Sequence, residues 1–98
     1  MPTPVKPRFD TFYRHDALTD LPNRRGLTEV LAAGPGPIGV LYVDLDRFKP
    51  VNDQHGHATG DHVLQAAARR MERAVRPCDA VARIGGDEFV VVLADEAG

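Results

Sequence analysis

The sequence predicts a small α+β domain. Three observations carry that prediction. Leu64, Ala67, Ala68, Met71 and Val75 recur at helical spacing; Ile38 to Val43 is an almost continuous apolar run; and two further strand-like runs flank Gly85-Gly86. A chain of 98 residues holds one domain, or part of one.

The elements follow in order. Residues 1–8 carry three prolines and little that packs, so they read as an extended leader or the tail of a linker. Phe9, Phe12 and Tyr13 make a short helical stripe, either the end of a linker helix or a turn folded onto the body. The leader and linker are assigned to residues 1–14 and the domain to residues 15–98. Pro22 opens a helix from about Arg24 to Ala33, with Leu27, Val30 and Leu31 on one face, and Gly34-Pro35-Gly36-Pro37 ends it. The run Ile38–Val43 reads as a strand covered on both faces. Pro50 opens a short helix closed at Gly56, and a longer helix runs from about Gly60 to Val75, with Arg69, Arg70, Glu72 and Arg73 on its solvated face. The strands Ala80–Ile84 and Phe89–Leu93 then form a hairpin around Gly85-Gly86-Asp87-Glu88.

Composition excludes several classes. With 12 Lys+Arg against 14 Asp+Glu there is no basic excess for a nucleic-acid groove or an anionic membrane. One cysteine, Cys78, rules out an internal disulfide framework and reads as a small filler. No apolar run is long enough to span a bilayer, and the start has no signal-peptide core, so a cytoplasmic setting is expected.

The chemistry concentrates at two strand ends. Asp44 and Asp46 end a buried strand, at the edge where open sheets bind ligands. Gly-Gly is a good turn former, but a hairpin does not need the Asp87 and Glu88 that follow. If these ends are neighbours, up to four carboxylates converge and repel one another unless a cation or proton intervenes. Such hard ligands favour Mg2+ or Mn2+. The bare Gly85 and Gly86 let a nucleotide approach the backbone, and Lys49 meets a phosphate as a point charge. Metal, positioning and charge neutralisation are what phosphoryl transfer needs.

Four segments together resemble the GGDEF domain family, the diguanylate cyclases. They are Arg83-Ile84-Gly85-Gly86-Asp87-Glu88-Phe89; Asp16-Ala17-Leu18-Thr19-Asp20-Leu21-Pro22-Asn23-Arg24, with Asp20 where the family usually has Gly; Asp44-Leu45-Asp46-Arg47-Phe48-Lys49-Pro50-Val51-Asn52-Asp53; and Gly56-His57-Ala58-Thr59-Gly60-Asp61. The resemblance implies a palm-like, ferredoxin-type sheet and condensation of two GTP into cyclic di-GMP with release of pyrophosphate. It implies metal ligation by the Asp44 side chain, the Leu45 carbonyl and Asp87. Asp87 is also the expected general base for the ribose 3′-hydroxyl, with Glu88 assisting and Asp46 nearby. Asn52 and Asp61 would read the guanine edge, His57 would sit at the substrate, and Lys49 near the phosphates. A homodimer is implied, because one GTP site supplies half of the product, and an upstream sensory domain is compatible.

Simpler readings stand beside these. Asp61 falls in the expected first helical turn, where an acid suits the dipole. His55, His57 and His62 mimic a metal cluster. Asp16, Asn23 and Arg24 look architectural, through an ion pair that fixes the first helix. Arg76-Pro77-Cys78-Asp79 resembles the family's R-x-x-D inhibitory site for cyclic di-GMP, against a helix-terminal arginine beside a strand-start aspartate. The match ends at residue 93, so the domain is expected to be incomplete at its C-terminus, leaving Ile38–Val43 as an apolar edge. The alternatives to a cyclase are a non-catalytic module binding GTP or cyclic di-GMP, and a structural relay.

Overall fold

Local chemistry starts the first helix. Asn23 sits in extended backbone and its side chain accepts from the Gly26 N–H at 2.9 Å, capping α1 (Arg24–Ala33). The structure, a computed structural model, describes residues 13–34, 36–37 and 39–95. The expected leader and most of the linker stripe therefore lie outside the described residues, while Tyr13 and Arg14 are helical.

After α1 come β1 (Gly39–Asp44), α2 (Phe48–His55), α3 (His57–Ala74), β2 (Ala80–Arg83) and β3 (Glu88–Leu93). The sheet order is β1-β3-β2, all antiparallel, so the expected hairpin forms and β3 is central. Alternation along β3 divides the core. Phe89 and Val91 pack with Leu21, Leu64, Ala68 and Val81 on the α3 face, while Val90 and Val92 pack with Leu27 and Ala82 on the α1 face. Helix, sheet and helix make three layers, the α+β class that the sequence predicts.

The structure corrects several boundaries. Helix α2 begins at Phe48, with Pro50 inside its first turn, where a missing N–H leaves no bond unmade. Helix α3 begins at His57 rather than Gly60. Gly56, at φ +89°, breaks the chain between the two helices, and only a glycine adopts that backbone freely. Gly60 instead lies buried within α3, where a Cβ would stand 2.2 Å from Asn52 Oδ1.

Strand β1 departs most from expectation. It pairs with β3 alone, and Val40, Leu41 and Tyr42 are 57%, 53% and 60% exposed. A continuous apolar run does not by itself bring cover to both faces. The edge position matches the expectation, and the covered faces do not. Of the expected α1 stripe only Leu27 is buried; Val30 and Leu31 are exposed, because the helix packs on β2 and does not extend its contact over β1. Arg69 is likewise more than a solvated residue, since its guanidinium donates to the Thr19 carbonyl. Cys78 is exposed rather than a filler.

Candidate active site

Register brings the acids together. Asp44 stands opposite Glu88 across β1 and β3, and the Leu45 N–H donates to the Asp87 carbonyl at 3.1 Å. A cleft of about 390 Å3 there is lined by Asp44, Leu45, Asp46, Lys49 and Asp87, with the start of α2 as its wall. The negative charge of Asp87 pushes the Asp44 carboxyl above the ordinary carboxylate range; partial desolvation, Glu88, a hydrogen bond with Asp87 and Asp46 add to this. The tip therefore holds more negative charge than it neutralises.

Convergence is narrower than the sequence suggests. Among the described residues no three of His, Cys, Asp and Glu gather as a metal cage, which removes the histidine cluster and the four-carboxylate cage alike. The close pair is Asp44 with Asp87. Glu88 turns elsewhere. A Cβ on Gly85 would stand 2.2 Å from its Oε1, and the nearby Glu88 carboxylate pushes the Tyr42 phenol upward.

The two tip glycines thus differ. The space at Gly85 is taken by Glu88, whereas nothing lies within 4 Å of a Cβ on Gly86. Neither has a positive φ. No turn geometry and no packing demands a glycine at residue 86, so only open backbone distinguishes it. Next to the cleft, Arg47 holds φ +61° just before α2, a left-handed conformation that a non-glycine residue adopts at a cost and that concentrates at functional sites.

A second group sits at the junction of α2 and α3. The Asn52 Nδ2 contacts His57 Nδ1 at 3.1 Å, and Asp61 is exposed on α3 beside Gly60. The first turn of α3 holds no acid, so the dipole does not account for Asp61. Lys49 precedes Asn52 on α2 by three residues, a rise of about 5 Å.

At the other end of the β2–β3 hairpin, Arg76 and Asp79 bind each other. Asp79 accepts from Arg76 Nη2 at 3.1 Å, from the Arg76 N–H at 2.9 Å and from the Ala94 N–H at 2.8 Å. Arg76, with those backbone N–H groups, holds the Asp79 carboxyl far below the usual range. The pair borders a hollow of about 370 Å3.

Sequence reasoning missed Arg83 as more than part of a motif. Its Nη1 lies 3.0 Å from both oxygens of Asp16, so the ion pair expected to fix the first helix runs instead from the preceding turn to β2. Asn23 is the cap of α1, and Arg24 donates to the Ile84 carbonyl at 3.4 Å. Asp20 has φ +59°, which explains why a glycine suits that position; Asp tolerates the left-handed region better than most.

A family model described as the diguanylate cyclase GGDEF domain matches residues 13–97. This chain belongs to the GGDEF domain family. Diguanylate cyclase TpbB of Pseudomonas aeruginosa is 47% identical over 88 residues, covering 82% of this chain and 20% of that protein. A structure comprising only the GGDEF domain of TpbB superposes with TM-score 0.72 at 46% identity, covering 86% of this chain and 53% of that one. The coiled coil and GGDEF domain of DgcB from Caulobacter crescentus, solved with c-di-GMP, gives TM-score 0.78 at 31% identity, covering 94% of this chain and 52% of that one. The three-layer fold is thus that of GGDEF domains. The chain spans between about a tenth and a fifth of the length of the curated relatives it matches. No helix among the described residues of this GGDEF chain is long and apolar enough to cross a membrane.

Proposed function

We propose that this GGDEF domain is a diguanylate cyclase, joining two GTP into cyclic di-GMP with loss of two pyrophosphates. One observation carries the reading beyond family membership: Asp44 and Asp87 hold uncompensated charge in a cleft beside the open backbone of Gly86. The residues fit a hard divalent cation, Mg2+ or Mn2+. Two carboxylates and the Leu45 carbonyl supply part of its shell and leave the rest to water and phosphate, as Mg2+ prefers. When bound, the cation neutralises phosphate charge.

The chain's own residues do the rest. Asp87 accepts the proton of the ribose 3′-hydroxyl as that oxygen attacks the α-phosphorus, and the bond to pyrophosphate breaks. Lys49 faces the phosphates from the cleft wall. Glu88, lying over Gly85, lends negative charge to the tip. Asn52 and Asp61 hydrogen-bond the guanine edge, with His57 orienting Asn52. Two domains must face each other, because each supplies one nucleotide; a homodimer in the cytoplasm, governed by a sensory domain upstream of residue 15, suits this.

Arg76 and Asp79 favour a second reading, a module that binds cyclic di-GMP, as DgcB does in its solved complex. Binding there requires the pair to open, since each is already the other's partner. The same residues serve a cyclase as an inhibitory site. The deciding assay is incubation with GTP and Mg2+ followed by chromatography for cyclic di-GMP. It should be run on the chain alone and on the chain fused to the part of the TpbB domain it does not span. Binding of cyclic di-GMP with no product from either form would favour the module and reject the cyclase.

A further inference from the structure

Arg83 closes β2 directly behind the tip, and all three nitrogens of its guanidinium donate. Nε donates to the carbonyls of Gly85 and Gly86 at 3.1 and 3.2 Å, and Nη2 to Gly86 at 2.8 Å. Nη1 reaches both oxygens of Asp16 at 3.0 Å. Asp16 is itself fixed, accepting from the Thr19 N–H and hydroxyl at 2.8 Å each. Thr19 is buried, and its carbonyl accepts from Arg69 on α3. The tip therefore hangs from a chain of polar bonds that runs back to the helical layer.

The tip needs such support. Gly85 and Gly86 in succession are the least restrained backbone in the hairpin. Within it, Ile84 and Gly85 share one acceptor, the Glu88 carbonyl, at 2.9 and 3.4 Å. The Leu45 N–H steadies Asp87 from the β1 side. On the β2 side the side-chain donor is Arg83.

We infer that Arg83 is a positioning residue. By fixing the Gly85 and Gly86 carbonyls it aims Asp87 at Asp44, so the cation affinity of that pair depends on a guanidinium that touches neither. The inference rests on reading Asp44 and Asp87 as the cation site. A guanidinium is required, because one flat group must bind two carbonyls on one edge and a carboxylate on another; an ammonium is a single point of charge.

The test is an Mn2+ titration followed by electron paramagnetic resonance, well below each variant's unfolding midpoint, with Mn2+ alone as the probe. Arg83→Lys is expected to weaken Mn2+ binding about tenfold, the usual effect of removing a group that orients a ligand. Arg83→Gln still donates an amide to one glycine carbonyl and should recover part of the loss. A purely structural Arg83 would lower the unfolding midpoint and leave affinity in the folded protein unchanged, and that result would overturn the inference. If Arg83→Lys does not fold, Asp16→Asn carries the test, since it loosens the anchor and should weaken binding several-fold; unchanged affinity there would also overturn it. Asp87→Asn separates the two levels. Loss of Mn2+ there with retention in the Arg83 variants rejects Arg83 alone, whereas Mn2+ binding that ignores Asp87→Asn rejects the cation site and the inference built on it.

Discussion

Strand β3 ends in a carboxylate site at each extreme, and the two are opposites. At its start Asp44 and Asp87 face each other, with Glu88 across the strands, and Asp44 is pushed above its ordinary range. Just past its end, roughly 20 Å away by strand rise, Asp79 is held far below it. Both use the same chemical group on the same hairpin. The difference lies in the partners. Asp79 has one guanidinium and two backbone N–H groups, and its side chain is 2% exposed. Asp44 has negative neighbours and an open cleft. One site is complete as folded; the other is complete only when something positive arrives.

The comparison breaks most sharply at Asp44. Asp44→Ala or Asp87→Ala is expected to cut product formation by about a hundredfold or more in the TpbB-fused form, because too few hard ligands remain. Asp87→Glu should be milder, since the carboxylate survives at a different reach. Asp44→Asn should do two things at once: abolish turnover and raise the unfolding midpoint, because it removes repulsion that only a cation relieves. Chromatography for cyclic di-GMP and thermal melts of the same samples decide this. A variant that loses turnover and also melts lower would mean that Asp44 is structural.

Asp79 should behave in reverse. Asp79→Asn is expected to lower the midpoint by several degrees at neutral pH. Its folded pKa is depressed, so its contribution is present above the unfolded value of about 3.9 and is lost as pH falls through the lower folded value. Melts taken down into acid should therefore show wild type losing more stability below about pH 4 than Asp79→Asn does. In the active form, Arg76→Ala should relieve slowing by cyclic di-GMP and leave initial turnover largely intact. Unaltered inhibition in that variant would leave the pair a purely structural one.

How far could the sequence be read? The three helices and three strands were legible, because helical spacing, Pro and Gly punctuation and a β-rich run each have a local cause. So was the approach of Asp44 to Asp87, through motif order. Three things were not. Exposure of Val40, Leu41 and Tyr42 depends on which neighbours the sheet provides, and a run of apolar letters carries no record of them. The partner of Asp16 is 67 residues away, and nothing local marks Arg83 as its mate. The unequal tip glycines depend on where Glu88 turns, a rotamer choice for which Gly85 leaves the room.

That inequality gives a smaller, sharper test of the tip. Gly85→Ala would place a Cβ 2.2 Å from Glu88 Oε1, so the Glu88 side chain must swing away. The Tyr42 phenol should then move back toward its ordinary range, which ultraviolet titration reads directly. Gly86→Ala meets open space and should leave both the melt and the Tyr42 titration as they are, yet lower GTP turnover if the substrate passes over that backbone. Equal effects on both readouts would mean that the two glycines share one structural role.

A third aspartate tests the comparison from outside, with the smallest effect. Asp20 belongs to neither site. Its side chain is 76% exposed and its contact with His15 Nδ1 is long, at 3.5 Å. What it contributes is backbone, at φ +59°, where L-residues are strained by roughly 1–2 kcal/mol and Asp by less than most. Asp20→Gly removes that strain but adds freedom to the unfolded chain, worth roughly 0.4–1 kcal/mol the other way. The net expectation is a gain of a few tenths to about 1 kcal/mol in chemical denaturation, with no change in Mn2+ affinity. A loss of stability would show that the Asp20 carboxylate matters through His15 after all. It would then place this aspartate with Asp79, among carboxylates that the fold itself completes.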